Sequence, residues 1–360
     1  MAATRRYRVA IVGAGIGRAH GEGFRALPEL FEVALVCDLN LERARELAAL
    51  AAPGGAEVTS DFDAVLARPD IDIVDVCVPP FLHFDMVARA LRAGKDVLCE
   101  KPLVGSLAEV DALAAIAAET GRRLVPVFQY RHGNGLRKLE QLIRAGAAGR
   151  PFVTSIETHW NRTAAYYAVA WRGRRATELG GAVLSHAIHA HDLLTRVHGP
   201  VRRVFARIAV RVNPIKTEDC AALCFEMADG ALATHSLTLG SADEVSRFRF
   251  CFEHLTAESC HALPYKPAEE PWRFIPRGGE GEAADRIAAE LAAFAPPGPE
   301  GFAGLVVALH EALATGGPPP VTIDDGRRSI ELATAIYHSA ATGADVALPL
   351  GNNHPTYRGW

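Results

Sequence analysis

No apolar run in this 360-residue chain approaches the roughly 18 residues needed to span a bilayer, so no membrane helix is expected. There is no basic stripe with interleaved aromatics either. With Lys+Arg 38 against Asp+Glu 42 the net charge is −4, which argues against a nucleic-acid partner. Only Met1 to Arg6 precede the first strand-like run, too short a stretch for a signal peptide. No segment repeats. The seven cysteines are scattered, and Cys37, Cys77 and Cys99 sit in or beside apolar runs, where free thiols behave as small hydrophobes. That usage suits a reducing compartment and predicts a cytoplasmic protein. Cys220 and Cys224 have no matching second pair, so no metal site is expected there.

What is present is a globular balance, 49% apolar and 22% charged, in a chain long enough for two domains. Tyr7 to Val12 is a β-branched run that ends in Gly13-Ala14-Gly15-Ile16-Gly17 and leads into a helix-compatible stretch. Strand, glycine turn and helix start form a pyrophosphate cradle, because glycines admit the ligand to the backbone and open N–H groups receive its charge. A second strand ends at Asp38, 25 residues beyond Gly13, where a carboxylate can bond the adenosine ribose diol. Its charge repels a 2′-phosphate and Leu39-Asn40 offers no cation, so NAD is expected over NADP. Asp38 could equally cap the helix that follows. The third glycine of the usual fingerprint should fall at Arg18, yet Gly17 comes one residue early.

Strand and helix patterns alternate up to Phe128, which predicts a doubly wound parallel sheet over residues 1–128. The strand Ile71–Val78 ends in Pro79-Pro80 and a loop to His83. The strand Asp96–Cys99 delivers Glu100-Lys101-Pro102 at its carboxyl end, where ligands bind open α/β sheets. Residues 129–360 read as a second domain, mostly an antiparallel sheet with helices on one face. Strands over Phe152–His159, Val201–Val212, Ala221–Ala228, Ala231–Leu239 and Phe248–His254 surround one helix, Gly181–Val197. The stretch from Leu263 to Gly301 reads as a surface excursion, and helices over Phe302–Ala314 and Asp324–Thr342 complete this domain.

The glycine turn followed by His20, Asp38, Pro79-Pro80 with His83, Gly94-Lys95, Glu100-Lys101-Pro102 and Gly180-Gly181 leading to His189 and Asp192 together resemble the Gfo/Idh/MocA family. That family includes glucose–fructose oxidoreductase and inositol dehydrogenase. The resemblance covers nearly the whole chain. It implies a Rossmann domain and an antiparallel-sheet domain whose open face pairs in a homodimer or homotetramer. It also implies NAD-dependent hydride exchange with a secondary alcohol of a sugar, cyclitol or sugar acid. On this basis Lys101 would polarise the reacting oxygen and His189 would be the acid/base, with Asp192 one helical turn away. Gly13, Gly15, Ile16, Gly17, Asp38, Pro79, His83, Glu100 and Lys101 would hold the cofactor. Tyr130, at the domain junction, would line the substrate site with Ser185, His186, His189 and Asp192. Inositol dehydrogenase-like members carry an aspartate where Ser185 stands, and a hydroxyl cannot take its proton.

Imidazole has the pKa an alcohol's base needs, and an ammonium stabilises the developing alkoxide. The plainer alternatives are a Lys101–Glu100 salt bridge and a structural His189. Trp171 and Arg172 lie in an aromatic and guanidinium-rich loop suited to hydroxyl-rich or anionic ligands, or simply to solvent. Of His186, His189 and His191, helical spacing puts the first two on a shared face; a metal there would need Asp192 or His159 as a third ligand, and hydride transfer has no need of one. Redox-assisted glycoside cleavage and non-catalytic nucleotide sensing stay open as alternative functions.

Overall fold

The computed structural model describes residues 5–360, which divide by internal contacts into two units. The first comprises the chain up to Phe128 together with Phe302–Ile330. Its sheet is six-stranded and wholly parallel: β1 (Tyr7–Val12), β2 (Phe31–Cys37), β3 (Glu57–Thr59), β4 (Ile73–Val76), β5 (Asp96–Cys99) and β6 (Leu124–Pro126), in the order β3-β2-β1-β4-β5-β6. This is the doubly wound dinucleotide-binding order. The strands are buried almost without interruption, as a parallel sheet covered on both faces requires. The helices start where local chemistry stops their N–H groups from being orphaned. Asn40 caps Leu41–Ala51, Asp61 caps Phe62–Leu66 and Ser106 caps Leu107–Thr120, which ends on Gly121 at φ +63°.

The sequence assigned Phe302–Ile330 to the second domain, and the structure groups them with the first unit. The helix Gly301–Thr315 is apolar on most sides, and its aromatics find partners in the amino-terminal segment. Phe302 stacks on His20 at 3.9 Å and meets Phe24 at 5.5 Å, while His310 Nε2 lies 2.8 Å from the Arg5 carbonyl. Arg327 pairs with Asp111 at 2.7 Å.

The second unit comprises Gln129–Gly301 and Glu331–Trp360. It holds an eight-stranded sheet of β7 (Pro151–Asn161), β8 (Val201–Ala209), β9 (Cys220–Met227), β10 (Leu232–Thr238), β11 (Gly240–Phe252), β12 (Leu255–His261), β13 (Trp272–Pro276) and β14 (Val346–Ala347). Only β7 and β10 pair in parallel. Alternation of buried and exposed residues along β8, β9 and β10 gives the sheet one covered face and one open face. Gly230, at φ +89°, makes the β9–β10 turn that Asp229-Gly230 predicted. The 263–301 stretch is not only an excursion, since it contributes the edge strand β13 and the helix Glu282–Ala292. The single helix expected over Gly181–Val197 is two, Ala182–Ser185 and Ile188–His198, broken at His186-Ala187. No helix among the described residues is long and apolar enough to cross a membrane.

Gly13 shows how tightly the first unit closes. At φ +103°, a Cβ there would lie 2.5 Å from the Cys77 carbonyl oxygen. Gly13→Ala should therefore lose about 3 kcal/mol or more in urea denaturation. Gly54→Ala, with nothing within 4 Å of the new methyl, should change stability by less than about 1 kcal/mol.

Candidate active site

The glycine turn is short because its last glycine packs. Gly17 opens the helix Gly17–Arg25, and a Cβ there would sit 2.9 Å from Ile11 Cγ2. It thus serves the close helix–strand contact that the third fingerprint glycine makes one residue later elsewhere. Ile16 stands at the N-cap, 51% exposed, and the first turn carries no acidic residue to compete with a phosphate. Asp38 does not cap the following helix, since Asn40 accepts from Glu42 and Arg43 N–H. Instead its carboxylate accepts Ala14 N–H at 2.7 Å and Asn40 N–H at 2.8 Å, which fastens the end of β2 to the glycine turn. The fold also brings up a cation that nearest-neighbour reading missed. Arg43 Nη2 lies 3.6 Å from where a Gly15 Cβ would be.

Pro79 leads into the short turn Pro80–Leu82 and then His83. The His83 ring is fully buried, with Nδ1 2.8 Å from the Pro102 carbonyl and Nε2 2.9 Å from the Val78 carbonyl. Burial holds this imidazole below its usual pKa. It stitches two loops together, where the sequence had placed it against the cofactor. Glu100 likewise turns inward. Its Oε1 lies 3.0 Å from His20 Nε2 and its Oε2 accepts Lys101 N–H at 3.0 Å. Lys101 itself is half-buried at the carboxyl end of β5.

In the second unit, the start of the His189 segment is held by a buried acid. Glu218 accepts N–H bonds from Gly181 at 3.0 Å and Val183 at 3.0 Å, and the Tyr337 hydroxyl at 2.8 Å. Burial raises its pKa all the same. Gly181 is required here, because a Cβ would fall 2.0 Å from the Glu218 carbonyl oxygen. The Ser185 hydroxyl donates to the Gly181 carbonyl at 2.8 Å, so the 2.7 Å contact with His186 Nδ1 makes that nitrogen the donor. His186 Nε2 is then the acceptor for the Tyr166 hydroxyl at 3.2 Å, and Tyr166 in turn accepts from Arg172. The Arg172 guanidinium lies 4.0 Å from the Tyr166 ring and 4.2 Å from the Trp171 ring, flanked by both.

His189 is fully buried, stacked on Tyr130 at 4.8 Å and met edge-on by Tyr265 at 5.9 Å. Asp192, expected in the substrate site, forms a bidentate pair with Arg131 at 2.6 and 2.8 Å. The pair ties the Gln129–His132 turn to the His189 helix and so sets Tyr130 on the imidazole. His191 points elsewhere, 3.1 Å from His235 Nδ1, whose Nε2 reaches Thr158. Tyr265 was not anticipated. It is a non-glycine residue at φ +66° in the 263–301 stretch, and no sequence pattern marks it.

Residues 7–128 match the NAD-binding Rossmann-fold model of the GFO/IDH/MocA oxidoreductases, and residues 136–258 match the C-terminal domain model of the same family. The chain belongs to that family. Inositol 2-dehydrogenase from Rhodococcus erythropolis is 38% identical over 148 residues, 41% of this chain and 42% of that protein. D-apiose dehydrogenase from Paraburkholderia graminis is 25% identical over 352 residues, 96% of this chain and 90% of that protein. The WlbA dehydrogenase from Bordetella pertussis, solved with NADH and UDP-GlcNAcA, superposes with a TM-score of 0.80 over 96% of this chain and 100% of that one. At 24% identity that likeness speaks for the fold. The chain spans 42% to 66% of the length of several curated relatives it matches.

Arg131→Met leaves the Asp192 carboxylate buried without its guanidinium and should cost about 3–5 kcal/mol by chemical denaturation. A second expectation concerns acid. Burial pushes His191 and His132 down to about 3. The unfolded chain takes up these protons below about pH 6.5 while the folded chain does not, so stability should fall as pH drops from there toward 3. Each histidine contributes up to about 1.4 kcal/mol per pH unit. Urea midpoints measured between pH 7 and 4 check this, and His191→Asn should flatten the slope.

Proposed function

We propose that this chain is an NAD-dependent dehydrogenase that exchanges hydride with a secondary alcohol of a sugar, cyclitol or sugar acid. The observation that carries it lies within the first unit. β1, β4 and β5 pair in register, so the glycine turn and Glu100-Lys101 leave the sheet at the same end, where open α/β sheets bind ligands. The named activities of its relatives, on inositol and D-apiose, supply the substrate class.

The residues fit the cofactor. Gly13 turns the chain tightly against Cys77, Gly15 leaves the backbone open, the helix start beyond Ile16 offers N–H groups to the pyrophosphate, and Asp38 stands at the end of β2 for the ribose diol. Bound nicotinamide supplies the hydride acceptor. Lys101 holds the alcohol oxygen, and its charge stabilises the alkoxide as the C–H bond breaks. His189 takes the hydroxyl proton. Ser185 stands in place of a carboxylate, and the His189 ring packs against Tyr130 and Tyr265. His186, Tyr166, Arg172 and Trp171 present polar and aromatic edges suited to a hydroxyl-rich ligand. Phe152, Val153, Phe205 and Leu232, each at least 37% exposed on sheet strands, support a homo-oligomer joined through that sheet. Seven free thiols support a reducing, cytoplasmic setting.

Initial rates of NADH formation over inositols, aldoses, sugar acids and glycosides, with NADP⁺ in parallel, test the proposal. Turnover is expected with NAD⁺, and Lys101→Ala should lower kcat by about 10²- to 10³-fold. Turnover with NADP⁺ alone would overturn the Asp38 assignment and direct attention to Arg43. Bound NAD⁺ with no turnover on any alcohol would overturn the dehydrogenase.

A further inference from the structure

The carboxyl ends of β4 and β5 hold more charge than an apolar sheet interior accommodates unaided. Asp75 is 0% exposed, His20 2% and Glu100 6%. His20 lies between the two acids. Its Nδ1 is 2.9 and 3.1 Å from the Asp75 oxygens and 3.2 Å from Cys77 Sγ, and its Nε2 is 3.0 Å from Glu100 Oε1. An ionised carboxylate only accepts, so bonding both acids requires a proton on each ring nitrogen. Between two ionised acids the ring is an imidazolium, and the Phe302 ring stacked on it at 3.9 Å presents a π face to that cation. Glu100 passes the constraint on, because its second oxygen accepts Lys101 N–H.

We propose that His20 is a positioning residue, a buried cation whose bonds to Asp75 and Glu100 set where the Glu100-Lys101-Pro102 turn presents the Lys101 ammonium. This rests on the dehydrogenase reading of Lys101. The groups facing His20 come from the elements packed on it. β4 and the residue after it contribute Asp75 and Cys77, the end of β5 contributes Glu100 with Lys101 next in the chain, and the Gly301–Thr315 helix contributes only the uncharged Phe302. Burial opposes the charged ring, while Asp75 and Cys77 favour it, and its pKa stands well above the ordinary value. With both acids ionised, Asp75, His20 and Glu100 sum to one negative charge beside Lys101, and loss of the imidazolium would make it two.

That charge count gives a test that simple loosening of the fold does not mimic. In the full-length enzyme, His20→Gln should leave the KM for NAD⁺ within about threefold, lower kcat at least tenfold, and move the alkaline limb of the pH–rate profile up by half a unit or more as Lys101 gains negative surroundings. The double variant His20→Gln/Asp75→Asn restores the single negative charge with two amides that can bond each other, and its alkaline limb should return to the wild-type position. A readout independent of turnover is ¹⁵N NMR of labelled histidines, with His20→Gln providing the assignment. His20 should stay doubly protonated at about pH 8, where ordinary histidines are neutral. A neutral His20 at that pH overturns the proposal. So does a His20→Gln variant that melts earlier but keeps the wild-type pH profile, or a double variant whose limb stays displaced. Wild-type enzyme inactive on every alcohol would refute the dehydrogenase instead, and the NMR result would still decide whether the buried cation exists.

Discussion

Parallel pairing holds β1, β4 and β5 in register at Val12, Val76 and Cys99, so Gly13, Cys77 and Glu100 leave the sheet side by side. Most of the first unit's particular residues answer to that row. Gly13 must be a glycine because its neighbour's carbonyl is too close for a methyl. Asp75, on the same strand as Val76, is sealed inside against His20 of the first helix. Glu100 shares the same ring. A feature that looks like cofactor recognition in the sequence is, one layer deeper, a solution to burying two acids in a covered sheet.

The second unit packs its buried histidines against other rings. His189, His191 and His235 are buried, with Tyr130 and Tyr265 packed on His189 and a mutual contact between His191 and His235. The short helix Ala182–Ser185 depends on Glu218, which is 35 or more residues away in sequence and replaces a local cap. The break at His186-Ala187 lets His186 face Tyr166 while His189 faces Tyr130. A continuous helix would have put the two histidines on one shared face, the arrangement their spacing suggested.

What could be read in advance was whatever depends on local order. Strand periodicity, glycine turns and the position of Glu100-Lys101 at a strand's carboxyl end are properties of short windows, and they led to the alternating first unit and the antiparallel second one. Partners distant in the chain were not legible. Nothing near Asp192 announces Arg131, 61 residues earlier, and nothing near Glu100 announces His20, 80 residues earlier. His83 carried the look of a ligand-facing histidine because loops after strands usually face ligands, yet it is buried with a backbone carbonyl within 2.9 Å of each ring nitrogen. The helix Gly301–Thr315 was assigned to the wrong unit for the same reason, since its apolar pattern says that it is buried and not against what.

That last misassignment has a consequence for how the protein is made. The first unit is interrupted by the 129–301 stretch, so its outer helix and the Phe302 ring against His20 leave the ribosome long after the six-stranded sheet has emerged. At roughly 5–20 residues per second, the delay is on the order of 10 to 35 s. During that interval Phe24 and His20 lack their aromatic cover, and the nascent sheet exposes the face that Phe302 later closes. Birth order therefore brings the aromatic wall beside His20 only with the late segment Phe302–Ile330, and chaperone engagement of a ribosome-bound chain should concentrate on the face left open until then.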